Sequence, residues 1–337
     1  MSADVLLPAL VGVLPVLSFL AALLYLDSYK LVKLRSVIAV VVCGIVAAGA
    51  SYLINGYALD LLAMEFTTFT RYVGPVTEEL LKGLVIVALI RSHRIGFLVD
   101  AAIFGFAVGT GFAMVENLYY LDLVPDAGMG TWIVRGFGTA IMHGGATAIF
   151  AVMGLALLEQ GRRENLQAFI PGFVVAVVLH SAYNHLLFSP RIATLAILVV
   201  LPPLLYAVFQ RSERAVGDWL GKGFDADTEM LELINSGRLS ESPVGAYLKT
   251  LKGKFKGPVV ADLLCYLQLY TELALRAKGI LMMRESGFEV PVDEATHAKF
   301  AEMRYLESSI GKTGLLAIQP MCHMSHKDLW QLHMLGK

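Results

Sequence analysis

Seven stretches of the chain are apolar almost without interruption: 5–26, 37–53, 74–90, 95–121, 132–158, 169–188 and 192–209. A helix needs about 20 such residues to cross a hydrocarbon core of about 30 Å. Each stretch therefore predicts a membrane-spanning helix, with the third short and the fourth and fifth long enough to tilt. The first carries no basic leader and no small-residue cleavage site, so it reads as a span and not as a cleaved signal. Residues 56–70 mix polar and apolar positions and predict an interfacial helix or loop.

Past Phe209 the pattern changes. Charges recur every few residues, and helical periodicity continues without strand-like alternation. "DADTEMLELINSG" offers an Asp cap at one end and Gly237 at the other, which predicts a separate helix. "GPVVADLLCYLQLYTELALRAKGILMMRESG" starts with Pro258 in its first turn and ends at Gly287, a long helix too charged to read as a span. The fold class predicted is all-α: a polytopic membrane bundle of about seven transmembrane helices over 1–210, followed by a soluble helical domain over 211–337.

Composition agrees with that division. The chain is 56% hydrophobic and 16% charged over 337 residues, where soluble chains are usually nearer 25% charged. Residues 1–210 hold 11 Lys/Arg and 12 Asp/Glu; the remaining residues hold 16 of each. The net charge of −1 offers no basic field for nucleic acid, so none is expected as a partner. Cys43, Cys265 and Cys322 show no paired spacing, and the Cys322, His323, His326 and His333 group is too irregular for a metal motif.

Basic residues set the orientation. Lys30, Lys33, Arg35, Arg91, Arg94, Arg162, Arg163, Arg211 and Arg214 fall in alternate connections, against only Arg71 and Arg191 in the others. The expected arrangement is an N-terminus outside a cell membrane and a cytoplasmic C-terminal domain.

Ionisable groups inside a span cost roughly 2.5–3.5 kcal/mol at a helix centre, so they face protein or water and mark function by default. Here they are Glu78, Glu79 and Lys82, then Glu116 with Asn117, Arg135, His143, and His180 with Asn184. At about 1.5 Å per residue, Glu78, Glu116, His143, His180 and Asn184 all fall in the outer half of the bilayer. Four successive helices thus bring polar groups to one depth, as a single pocket between them would require. Glu78 and Lys82 are four apart and can meet on one helix face. Gly105 and Gly109 allow a close helix approach. A carboxylate, imidazoles and an amide in a semi-dry cavity suit hydrolysis by activated water. Asp100 falls at the other end of its helix and reads as a structural contact.

The motifs resemble those of the PrsW-type glutamic intramembrane proteases, relatives of the CAAX-processing and bacteriocin-processing membrane proteases (CPBP, ABI). "EELLK" (Glu78, Glu79, Lys82) resembles their EExxK; "FAMVE" (Phe112 to Glu116, followed by Asn117) their FxxxE; His143 their lone histidine; "HSAYN" (His180, Asn184) their HxxxN. The resemblance spans roughly 74–188. It implies an intramembrane endopeptidase in which Glu78 activates water, Glu79 supports it, and His180 shares the water. Asn184 or His143 would help stabilise the oxyanion. Glu116 stands where CAAX-processing relatives carry histidine, which favours the PrsW branch. Members of that branch cut single-span membrane proteins, including anti-sigma factors, near the extracytoplasmic face.

Other readings remain at this level. Buried carboxylates and histidines also serve proton- or ion-coupled transporters, and a non-catalytic membrane receptor could carry the same helices. No cofactor is expected; zinc on Glu78, Glu116, His143 and His180 is the alternative. Glu116 could simply pair with Lys82 or Arg135. The C-terminal domain is expected to meet a cytoplasmic partner or to self-associate.

Overall fold

A computed structural model describes residues 3–160, 166–185, 187–288, 290–322 and 326–335. Arg162, Arg163 and His323 lie outside the described residues, as do the side chains of His326 and His333. Among the described residues the chain is helical and contains no strand. It divides into two compact units, Met1–Glu213 and Arg214–Lys337.

The first unit begins with α1 (Ala3–Leu26) and α2 (Leu34–Leu62). A short α3 (Phe66–Tyr72) leads into α4 (Gly74–Arg91), which is followed by α5 (Leu98–Leu123). Next, α6 (Met129–Val134) continues through a π-helical turn, Arg135–Ala140, into α7 (Ile141–Glu159). A 3₁₀ turn at Leu166–Phe169 precedes α8 (Ile170–Asn184), and α9 (Pro190–Asn235) follows. The second unit takes the end of α9, a 3₁₀ turn at Arg238–Glu241, α10 (Pro243–Leu251), α11 (Gly257–Glu285), α12 (Glu294–Ile318) and α13 (His326–Leu335).

Seven helices among the described residues are long and apolar enough to cross a membrane. They differ from the expected seven in one member. Helix α4 is too charged to qualify on apolarity alone, because Glu78, Glu79 and Lys82 sit in it. Its charges turn inward instead, as the burial of Glu79 and Lys82 shows. Helix α11 does qualify by length and composition, although it buries Leu263, Tyr266, Leu267, Tyr270, Leu273 and Leu281 within its own unit, packing on α12 and α13.

Helix α5 is the axle of the first unit. Every residue from Val99 to Ala113 is buried, and α5 packs on α1, α2, α4 and α7. Glycine makes the α5–α7 contact possible: a Cβ at Gly109 would lie 2.3 Å from the His143 carbonyl oxygen, and one at Gly105 2.7 Å from that of Thr147. The small-residue pair therefore faces α7, close to where His143 leaves its backbone. Asp100 caps the opposite end of α5, accepting from the Gly96 and Phe97 amides at 2.9 and 3.2 Å.

Two expectations about element limits need correction. Residues 56–62 continue α2 and do not form a separate interfacial element; the helix stops only where Ala63 adopts a left-handed conformation (φ 47°). Glu65 then caps α3 by accepting from the Thr67 and Thr68 amides. Likewise "DADTEMLELIN" is not a new helix. Helix α9 runs unbroken through it, since nothing before Gly237 (φ 72°) interrupts the backbone pattern and Asp225 is not needed as a cap.

The second unit is a helical core of its own. Ser242 caps α10 by accepting from the Gly245 amide at 3.1 Å. Asp293 caps α12 by accepting from the Thr296 amide at 2.9 Å, and Gly311 (φ 64°) kinks α12 where a side chain would be strained. Lys278 is buried, and its side-chain nitrogen meets Asp227 at 2.5 Å and lies 5.1 Å from the Trp219 ring centroid.

Candidate active site

The site is assembled from α4, α5, the α6–α7 continuation and α8. Gly74 and Pro75 start α4 and place Glu78 and Glu79 one turn in. Glu79 is 2% exposed and Lys82 is fully buried. Burying either charge alone would cost several kcal/mol. They meet instead: Lys82 Nζ donates to Glu79 Oε1 at 2.5 Å. The expected Glu78–Lys82 contact is thus corrected to Glu79–Lys82. Both spacings lie on one helix face, and the buried carboxylate needs the cation more than the partly open one does.

Each imidazole is held at both nitrogens or poised at one. His180 Nδ1 lies 2.8 Å from Glu79 Oε1, so its proton sits on Nδ1 and the Nε2 lone pair is left facing outward. That Nε2 lies 3.7 Å from Glu78 Oε2. His143 Nδ1 lies 3.0 Å from Lys82 Nζ, which can only donate. His143 Nε2 therefore carries the proton, and it reaches Glu116 Oε2 at 2.8 Å. The two rings sit edge to face at 4.7 Å, with Phe112 tilted against His143 at 5.2 Å and 4.6 Å from Lys82 Nζ.

Arg135 opens the π-helical turn and closes the other side. Its Nε donates to Asn117 Oδ1 at 2.9 Å, its terminal nitrogen faces Glu116 Oε1 at 3.4 Å, and its guanidinium stacks 3.7 Å from the Tyr120 centroid. Asn117 in turn donates to the Gly12 carbonyl at 2.6 Å, tying α5 to α1. Of the two pairings expected for Glu116, the Arg135 one forms.

The fixed charges divide unevenly among the carboxylates. Three carboxylates, Glu78, Glu79 and Glu116, meet two fixed cations, Lys82 and Arg135. Lys82 serves Glu79 and Arg135 serves Glu116. Among the described residues Glu78 has no lysine or arginine partner; its neighbour is His180 Nε2 at 3.7 Å, and its side chain is 20% exposed. It lines a cavity of about 1470 Å³, together with Phe112, Glu116, Arg135, His180 and Asn184. A carboxylate open to a cavity can exchange a proton with water there.

Asn184 reaches the cavity but not the imidazoles' hydrogen bonds. Its amide donates to the Thr70 carbonyl at 2.9 Å, which leaves a second hydrogen for another acceptor. Ser181 and His185 point elsewhere: Ser181 donates to the Arg71 carbonyl at 2.6 Å, and His185 packs edge-on against Tyr72.

One contact escaped the sequence reading. Asn55, on α2, donates to Glu78 Oε1 at 3.3 Å. The available signal was Ser51 and Asn55, four apart in an otherwise apolar helix, which share a hydrogen bond of 3.1 Å.

Could a metal sit here? Glu78, His143 and His180 offer ligand atoms all within 4.8 Å of one another, and zinc sites with three protein ligands are common in hydrolases. Glu78 and His180 fit such a role. His180 Nε2 is a lone pair aimed at Glu78, and the carboxylate on its other nitrogen is the usual support of a metal-binding imidazole. His143 does not fit as it stands: Lys82 occupies the Nδ1 lone pair and Glu116 holds the Nε2 proton. Glu116 is not one of the grouped ligand atoms among the described residues. Of the four residues of the alternative zinc set, Glu78, His143 and His180 are grouped and Glu116 stands outside.

The fold and this cluster define a multi-pass helical membrane protein with ionisable side chains gathered among its helices. Residues 33–208, more than half of the chain, match the model of the PrsW family intramembrane metalloproteases, and the chain belongs to that family. Comparison with curated proteins and with solved structures finds no match.

Proposed function

We propose that the chain is an intramembrane endopeptidase that hydrolyses its substrate with water activated by Glu78. The observation that carries this reading is the Glu78 Oε2–His180 Nε2 pair, 3.7 Å apart on the cavity wall, with Glu79 holding the far side of His180. Water between them can give one hydrogen to Glu78 and the other to His180. As its oxygen attacks the peptide carbonyl, Glu78 takes the proton. The same carboxyl then returns a proton to the leaving amine. The second Asn184 amide hydrogen is a donor on the cavity wall for the developing oxyanion. His143 keeps Lys82 and Glu116 in place and does not itself contact the water.

The substrate class this reading favours is a single-span membrane protein, such as an anti-sigma factor, cut near the extracytoplasmic face. The orientation rests on the basic connections, which put the second unit in the cytoplasm, where it would meet a partner or a second copy.

The family description points to a metal-dependent variant of the same reaction. Glu78 and His180 would hold the ion, and a bound metal would supply a more acidic water and polarise the carbonyl. His143 would join only after releasing Lys82 or Glu116.

The test compares membrane-protein fragments, by terminal-peptide mass spectrometry, in cells with the wild-type chain and with Glu78→Gln. Loss of specific fragments by about 10²–10⁴-fold, with the variant still inserted and folded, supports the proposal. Unchanged fragments would overturn it. Uptake lost without any proteolytic change would instead mark a transporter. Metal analysis of the purified protein, with a chelator arm, separates the two forms of the mechanism.

A further inference from the structure

Helix α2 lies outside the four motifs that carry the family resemblance, and its neighbouring side chains are made for lipid: Leu53 is 71% exposed and Tyr57 72%. Asn55 is the exception in that turn. It lines the cavity beside Glu78, and its carboxamide has a partner at each end. The Thr77 hydroxyl sits on Asn55 Oδ1. A carboxylate oxygen only accepts, so the Asn55 amino group is the end that faces Glu78, donating to Glu78 Oε1 at 3.3 Å and to Ser51 Oγ at 3.1 Å. Thr77 Oγ1 also lies 2.9 Å from the Gly74 carbonyl at the start of α4, so its one hydrogen is shared between these two acceptors.

The consequence concerns the two oxygens of Glu78. The terminal torsion of a glutamate is broad and nearly two-fold, so an unrestrained carboxylate would sample many orientations. Asn55 holds Oε1, and Oε2 is then the oxygen that faces His180 Nε2. We propose that Asn55 is a positioning residue that orients the Glu78 carboxylate toward the attacking water, and that Thr77 sets the Asn55 amide. The inference rests on the reading of Glu78 as the base. It adds to the site a helix that the motifs leave out.

Asn55 could simply fasten α2 to α4. That role and the proposed one differ in what they do to folded enzyme. The experiment uses the full chain in proteoliposomes, with a single-span reporter built from the segment identified by the Glu78→Gln comparison and flanked by a fluorophore and quencher. Asn55→Ala is expected to lower kcat about 10–100-fold, since small misplacements of a reacting group cost up to about 10², while KM stays within about twofold. Thr77→Val should give a smaller loss of the same kind, and Thr77→Ser should restore it. The double variant should be no worse than Asn55→Ala alone, because both act through one contact. Unfolding midpoints of each variant are measured alongside.

Wild-type kcat in Asn55→Ala, with Glu78→Gln inactive, overturns this inference and leaves the proposed function standing. So does a loss that follows the folded fraction with kcat per folded molecule unchanged, or strictly multiplicative losses in the double variant. Cleavage by Glu78→Gln at the wild-type rate overturns the proposed function itself.

Discussion

Helices α5 and α1 are both long and apolar enough to cross a membrane, and α1 is the more apolar of the two. Yet 83% of the apolar stretch of α5 is buried, against 17% in α1. In water the order would be reversed. In a bilayer the lipid is as apolar as leucine, so apolarity does not drive a helix inside. What drives α5 inside is fit and polarity. Gly105 and Gly109 let its backbone lie against α7, and Glu116 and Asn117 need partners that lipid cannot supply. The rim leaves apolar side chains exposed, Leu14 on α1 and Leu195 and Val199 on α9 among them, as a lipid-facing surface would. The centre is specified by charge pairs and close contacts, and the rim by little more than being apolar.

That contrast breaks most easily at its most charged point. Lys82→Met should destabilise the first unit by about 3–5 kcal/mol, because it strands the buried Glu79 carboxylate. Unfolding in detergent reads the loss, and adding Glu79→Gln should recover part of it. A Lys82→Met variant as stable as wild type would mean the centre does not depend on paired charge.

Glycine offers a finer comparison. Gly109→Ala pushes a methyl into the His143 carbonyl and should cost about 1–3 kcal/mol. Gly49→Ala, on α2 with nothing within 4 Å of the new methyl, should be neutral or stabilising by up to about 1 kcal/mol. Equal effects on thermal unfolding would deny that close backbone approach sets Gly109 apart.

The smallest effect belongs to an exposed charge. Thr67 and Thr68 donate to Glu65 and lower its pKa below the usual 4.5. A carboxyl with a lowered folded pKa stabilises above its unfolded value and loses that contribution as pH falls through the folded one. Glu65→Gln should therefore differ slightly from wild type at neutral pH. The two unfolding midpoints should converge below pH 4.5. A large difference at neutral pH would place Glu65 among the groups that matter at the centre.

The charges of the candidate site were legible because they contradict their surroundings: Glu78, Glu79, Lys82, Glu116, His143 and His180 stand out in apolar helices. Their pairing was not. Spacing permits Lys82 to meet Glu78 or Glu79, and only the depth of each carboxylate chooses Glu79. Asn55 was hidden for the opposite reason. An uncharged amide in an apolar helix looks incidental until the fold brings α4 beside it. The run of α9 through Asn235 was missed because an Asp-rich stretch resembles a helix start even where no preceding turn ends the helix.

The sequence by itself determined that this chain is a helical membrane protein with ionisable groups on four successive spans. Hydrocarbon penalises every such group, and so each one is conspicuous along the chain. Only the tertiary structure decided that Glu78 is the carboxylate left, among the described residues, without a lysine or arginine partner. The balance of charge in a buried cluster depends on which side chains meet, and helices far apart in sequence settle that by packing.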